Sequence, residues 1–338
     1  MILESWSIAL ITCSLITLAL GAVGLASAIR VVRFWDPGAD SERQIGLEEQ
    51  VWLAATLTQF GLVVQVVSAV VFIYAAGYFA TLLKGAMCAA GAVAANAYGL
   101  PALAVKLITI FSGALWIVVH RLDIGCEDYP LTRIKSYGLL LIFPLLCADA
   151  FLVVAYLVNL DPQIITSCCG VLFGGDAGGG YSLFEYASPA RLLWPTVLCG
   201  AAVVFCSLLL VPCRAGAVAA LTGWAAIAAW IGFYVLALLV VTVVVSPYVY
   251  ALPHHRCPFD LLHYPYAVVG VPLYLSLHAA VLSGLGGAAA ALTAGRWIPA
   301  GQVRPFIRTA VLMSLGSLLL FVLIAAWPPV SYIVMGGQ

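Results

Sequence analysis

Long apolar runs separated by short polar stretches occupy most of this chain. A helix needs about 20 apolar residues to cross a hydrocarbon layer. By that measure the runs near 7 to 30, 50 to 76, 99 to 120, 136 to 160, 191 to 212, 217 to 247, 266 to 292 and 308 to 334 predict eight crossings. The third and seventh runs open on Gly-x-Pro, as Gly99-Leu100-Pro101 and Gly270-Val271-Pro272. The expected fold is therefore an all-α polytopic membrane protein, with one four-helix half over 1–160, a loop over 161–190 and a second four-helix half over 191–338. Only Glu4, and no basic residue, precedes the first apolar run, which is expected to stay as a helix rather than be cleaved as a signal.

Composition agrees with this pattern. Hydrophobic residues make up 64% of the 338 and charged residues 8%, whereas a soluble domain has an apolar share of about 45–50%. The lipid bilayer is the partner that such a chain requires. Net charge is zero and no basic arm or patch is present, so no nucleic-acid partner is expected. No Gly-rich phosphate loop with its Lys and Ser/Thr occurs, which argues against an ATP-driven pump acting alone.

Loop cations set the expected orientation. Arg30, Arg33, Arg43, Arg121, Arg133, Lys135, Arg214, Arg296, Arg304 and Arg308 fall on one side, against Lys84, Arg191 and Arg256 on the other. The first side is expected to be inside, which puts both termini outside. Trp35, Trp52, Tyr78, Tyr137, Trp194, Tyr248, Tyr266 and Trp297 lie near the predicted span ends, where interfacial aromatics belong.

The two halves also share an order of features. Cys88 precedes Gly99-Leu100-Pro101 and Lys106, and Cys257 precedes Gly270-Val271-Pro272 and His278. Duplication of a four-helix unit in parallel orientation yields such an order.

The ten cysteines separate by depth. Cys13, Cys147, Cys199, Cys206 and Cys213 lie in or at the ends of apolar runs, where thiols pack as small hydrophobes. Cys126 stands beside Glu127 and Asp128 on the inner side, where negative neighbours raise a thiol pKa. Cys88, Cys168, Cys169 and Cys257 fall on the outer side, where an oxidising compartment permits disulfides. The adjacent Cys168-Cys169 would form a strained, easily reduced ring, or chelate a soft metal; the plain alternative is that each pairs with Cys88 or Cys257 in a structural disulfide. Cys257 sits in Pro253-His254-His255-Arg256-Cys257-Pro258-Phe259-Asp260-Leu261-Leu262-His263. Arg256 and protonated His255 are expected to favour its thiolate. His254, His255 and His263 with Cys257 form the densest set of nitrogen and sulfur metal ligands in the chain, and Met87-Cys88 would add soft ligands.

Ionisable groups inside a membrane are candidates for function, since each costs about 2.5–3.5 kcal/mol on insertion scales. Asp149 falls near the middle of the fourth run. Lys106 and His278 lie about 9 Å and 18 Å along theirs at 1.5 Å per residue, so an Asp149–Lys106 pair or an Asp149–His278 hydrogen bond is expected. Such a group serves a proton path or a quinone head group; otherwise it fixes helix packing. Gln59 and Gln65 suit hydrogen bonds between helices.

Outer-side cysteines at the mouths of four-helix units, with Cys257-Pro258-Phe259 as half of a Cys-Pro-x-Cys motif, resemble the membrane thiol oxidoreductases related to vitamin K epoxide reductase and the bacterial disulfide-bond oxidases. That resemblance implies transfer of electrons between thiols and a quinone. It covers only the segments at Cys88, Cys168/Cys169 and Cys257. Asp260 stands where the motif's second cysteine would be, and no Cys-x-x-Cys occurs. Cys168-Cys169 separately resembles the cysteine pairs of bacterial mercuric-ion transport proteins. The leading expectation is a bacterial inner-membrane protein exchanging thiols and disulfides at the outer face through Cys168, Cys169, Cys257 and Cys88, with a quinone near Asp149, Lys106 and His278 or a periplasmic thioredoxin-like partner. The second is a soft transition-metal permease or binding protein whose metal meets His254, His255 and Cys257. The third is a non-catalytic subunit of a larger membrane complex.

Overall fold

A computed structural model describes all residues except 37, 39, 40, 164–188, 213–215, 254, 337 and 338. Cys168, Cys169, Cys213 and His254 thus lie outside the described residues. The helices are α1 (Ser5–Phe34), α2 (Glu42–Leu82), α3 (Ala89–Val93), α4 (Gly99–Ile124), α5 (Thr132–Val158), α6 (Pro189–Leu210), α7 (Ala217–Val240), α8 (Ser246–Tyr250), α9 (Ala267–Thr293) and α10 (Ala300–Val334). Among the described residues, eight helical stretches are long and apolar enough to cross a membrane, with α7 and α8 counted as one. The protein is an all-α polytopic membrane protein.

Several helices outrun their apolar cores. α2 has 41 residues, about 62 Å at 1.5 Å per residue, roughly twice the hydrocarbon thickness. Hydropathy marks only the lipid-facing part, whereas a helix satisfies its own backbone and continues into the headgroup region as long as nothing stops it. α7 runs through a π-helical turn, Val241–Val245, into α8. Pro247 lacks the amide that would bond the Val243 carbonyl and its ring crowds that turn. The ladder widens there instead, with the Ser246 amide donating to the Val241 carbonyl.

The chain forms two units, one of residues 1–76 and 93–162, the other of 77–92 and 163–338. In the first, α5 packs against α1 and α4, and Ala55, Leu62, Trp116, Ile142 and Leu146 form a buried cluster. At its end a buried ion pair, Lys135 Nζ to Asp123 Oδ2 at 2.5 Å, ties α5 to α4. Asp123 also accepts from the Leu131 amide and the Thr132 hydroxyl, both at 2.7 Å. Lys135, read from the sequence as a loop cation, is therefore enclosed. In the second unit α9 packs against α10 and α7, and α7 against α6. Small residues in α9 allow this close approach, and the Trp230 ring lies against Gly284.

The two Gly-x-Pro segments share one local construction. Gly99 begins α4 and Gly270 lies in the first turn of α9, and each lies against a carbonyl of the short helical turn before it. A Cβ on Gly99 would collide with the Val93 carbonyl at the end of α3, and a Cβ on Gly270 with the Leu261 carbonyl of the 3-10 turn Asp260–Leu262. In each case a cysteine, Cys88 or Cys257, stands just ahead of the short turn. Neither short turn is legible in the sequence, because three to five helical residues carry no periodicity.

Candidate functional site

Two loops of the second unit bring sulfur to one place. Cys88 opens α3, its carbonyl accepting from the Ala92 amide at 3.2 Å. Cys257 precedes the turn Asp260–Leu262, which closes through Phe259 and Asp260 carbonyls accepting from Leu262 and His263 amides at 2.9 and 3.0 Å. Two tyrosines fix this loop from below: Tyr250 donates to the Cys257 carbonyl at 2.6 Å and Tyr274 to the Pro258 carbonyl at 2.8 Å. His263 Nδ1 donates to the Phe259 carbonyl at 3.0 Å. With its backbone held on three sides, the loop places Cys257 Sγ, Cys88 Sγ and an Asp260 carboxylate oxygen all within 4.8 Å of one another.

The surroundings set the protonation of this trio. Cys88 is 5% exposed and Cys257 0%. Burial pushes the Cys257 thiol far above its ordinary range, and the neighbouring Cys88 and the Asp260 charge add to that; the Ala90 amide, donating to the sulfur, works in the opposite direction. Enclosure works against the expected activation by Arg256 and His255, and His255 faces the carboxylate. Asp260 is also held above the usual carboxylate range, first by burial and then by Cys88, against hydrogen bonds from Cys257 and His255. His255 Nε2 meets Asp260 Oδ2 at 3.0 Å, with 28% and 26% of these side chains exposed. The arrangement runs from two enclosed thiols through one carboxylate to an imidazole that reaches solvent.

Asp260 was missed as a functional residue because the sequence presents it as a departure from a Cys-Pro-x-Cys pattern. The spacing was itself the signal, since a residue three along from Cys257 in a tight turn returns to the same side. Of the histidines offered as ligands, His255 reaches the sulfurs through Asp260 and His263 is turned to the Phe259 carbonyl. Cys126 belongs to the first unit, its thiol raised by burial and by Asp123 and Asp128.

The first unit holds the intramembrane cluster. Lys106 Nζ on α4 donates to Asp149 Oδ2 on α5 at 2.9 Å and to Ser68 Oγ on α2 at 2.9 Å, and Gln65 Nε2 on α2 donates to the same Asp149 oxygen at 2.8 Å. Lys106 is 0% and Asp149 1% exposed. Gln59 bonds only within its helix, to the Ala55 carbonyl at 3.3 Å. His278 belongs to the second unit. Its Nδ1 donates to the Tyr274 carbonyl at 2.7 Å, which leaves Nε2 to accept from the Tyr234 hydroxyl at 3.1 Å. Comparison with protein families, curated proteins and solved structures gives no match, so the chemistry of both sites rests on their own geometry.

Proposed function

We propose that this is a membrane thiol/disulfide electron-transfer protein whose reacting couple is Cys88 and Cys257. The observation that carries the reading is the convergence of two sulfurs and one carboxylate within 4.8 Å, from loops far apart in the chain. Two thiols so placed need little movement to form a disulfide. In the proposed step Asp260 takes the Cys257 proton as the sulfur attacks an acceptor disulfide, and the thiolate expelled from the acceptor takes up a proton in turn. Cys88 then attacks the Cys257 sulfur of the mixed disulfide, which releases the second acceptor thiol with the Cys88 proton. The chain ends with a Cys88–Cys257 disulfide and the acceptor with two thiols. A carboxylate held above its ordinary range is a stronger base than an exposed one, and His255 links it to water.

Burial of both sulfurs argues against direct attack by a folded partner and for a carrier small enough to enter. The residue types of Cys168-Cys169, which lie outside the described residues, suit them as an exchanging pair of the same chain, with a periplasmic thioredoxin-like protein or a quinone as the outer electron carrier, at the outer face of a bacterial inner membrane. One observation favours a second reading: two sulfurs and a carboxylate oxygen at mutual distances under 4.8 Å also match a soft transition-metal site. One preparation separates the two. Mild oxidation followed by denaturation in a thiol-blocking reagent and peptide mass spectrometry should recover a Cys88–Cys257 linked peptide. Failure to form that link under any oxidant, with one equivalent of metal lost on Cys257→Ser, would replace the redox reading with the metal one.

A further inference from the structure

In the Lys106 cluster the hydrogen bonds are unevenly shared. Asp149 Oδ2 accepts from both Lys106 and Gln65, while Asp149 Oδ1 and Gln65 Oε1, both fully enclosed, accept from nothing among the described residues. An ion pair that only holds helices together gains from having every lone pair filled, and a half-filled buried network is costly. The carboxylate face turned away from Lys106 is thus an open acceptor inside the membrane, beside a second open acceptor on the amide that already touches it.

We propose that Asp149 is a proton-exchange site within the membrane, with Oδ1 the atom that takes the proton and Gln65 Oε1 the second acceptor for the water that delivers it. The step balances simply: carboxylate plus hydronium gives carboxylic acid plus water, and the cluster gains one positive charge. Lys106 keeps Ser68 Oγ as an acceptor when the carboxylate is neutral, so the cycle needs no helix to move. The titratable groups facing the site are Lys106 from α4 and Cys13 from α1, which lies within electrostatic reach of Lys106. From α2 the facing groups are the Gln65 amide and Ser68 hydroxyl, neither of which titrates, and Tyr156 lies two turns along α5 itself. This role is independent of the thiol chemistry.

Infrared difference spectra of the full chain in lipid nanodiscs, stepped from alkaline to acidic solution, test it. The expected result is the carbonyl band of a protonated carboxylic acid that appears on acidification, shifts in heavy water and vanishes in Asp149→Asn. Bands of Asp123 and Asp260 are common to both proteins and cancel in the difference. If Asp149→Asn fails to insert, Asp149→Glu should retain the band at a displaced frequency. Coincident spectra for the wild type and Asp149→Asn, or a Glu variant with an unmoved band, would overturn the proposal.

Discussion

Replacing Asp260 by asparagine tests the thiol site most directly, because the change removes a base and little else. Asparagine keeps the shape, an oxygen facing Cys257 and a group able to bond His255, so the loop held by Tyr250, Tyr274 and His263 should persist. Burial holds Cys257 protonated at neutral pH, and the described site offers one carboxylate in contact with both sulfurs. General base catalysis by a positioned carboxylate contributes about 10²–10⁴-fold. The expected loss in the rate of Cys88–Cys257 disulfide formation is therefore about 100-fold or more at neutral pH. The assay adds a small diffusible disulfide to the protein in nanodiscs, quenches in denaturant with a mass-adding maleimide, and follows the loss of two thiols in a background lacking the other cysteines. The pH profile carries the sharper expectation. With Asp260 present the rate should rise with pH as the carboxylate, held above its ordinary range by burial, loses its proton, and then level off. In Asp260→Asn the rate should keep rising in proportion to hydroxide. A rate within about threefold of wild type at neutral pH would refute the assignment of Asp260 as base, since a positioned general base typically contributes about 100-fold or more.

Other outcomes follow from the same geometry. Lys106→Met should destabilise the first unit by about 3 kcal/mol in reversible detergent unfolding because it strands Asp149, whereas Lys106→Met with Asp149→Leu should recover most of that loss; strictly additive losses would mean that the pair is not coupled. Gly270→Ala should lower thermal stability by more than about 1 kcal/mol and slow thiol exchange together, because the new methyl group meets the Leu261 carbonyl of the turn that carries Asp260. In intact spheroplasts an impermeant thiol reagent should spare Cys126 and label it after permeabilisation, as the loop charges require; labelling before permeabilisation would invert the orientation.

The sequence alone marked eight runs long and apolar enough to cross a membrane, and eight such helices stand among the described residues. Transfer of each apolar run into hydrocarbon is a local, additive free energy, and so it is legible without a fold. It also marked Lys106 and Asp149 as expensive groups in need of partners, for the same local reason. Tertiary structure chose the partners. Lys106 meets Asp149, Gln65 and Ser68, while His278, of overlapping predicted depth, bonds Tyr234 and the Tyr274 carbonyl. Depth fixes only height along a helix. Rotation about the axis is set by packing, and helices such as α5 are apolar on nearly every face, so no periodic stripe reveals which side turns inward. The thiol site shows the same division. Cys88 and Cys257 were legible as candidates from residue type and loop, but Asp260 as their third member, His255 behind it and the enclosure that raises the Cys257 thiol exist only once two distant loops close on each other and remove water from between them.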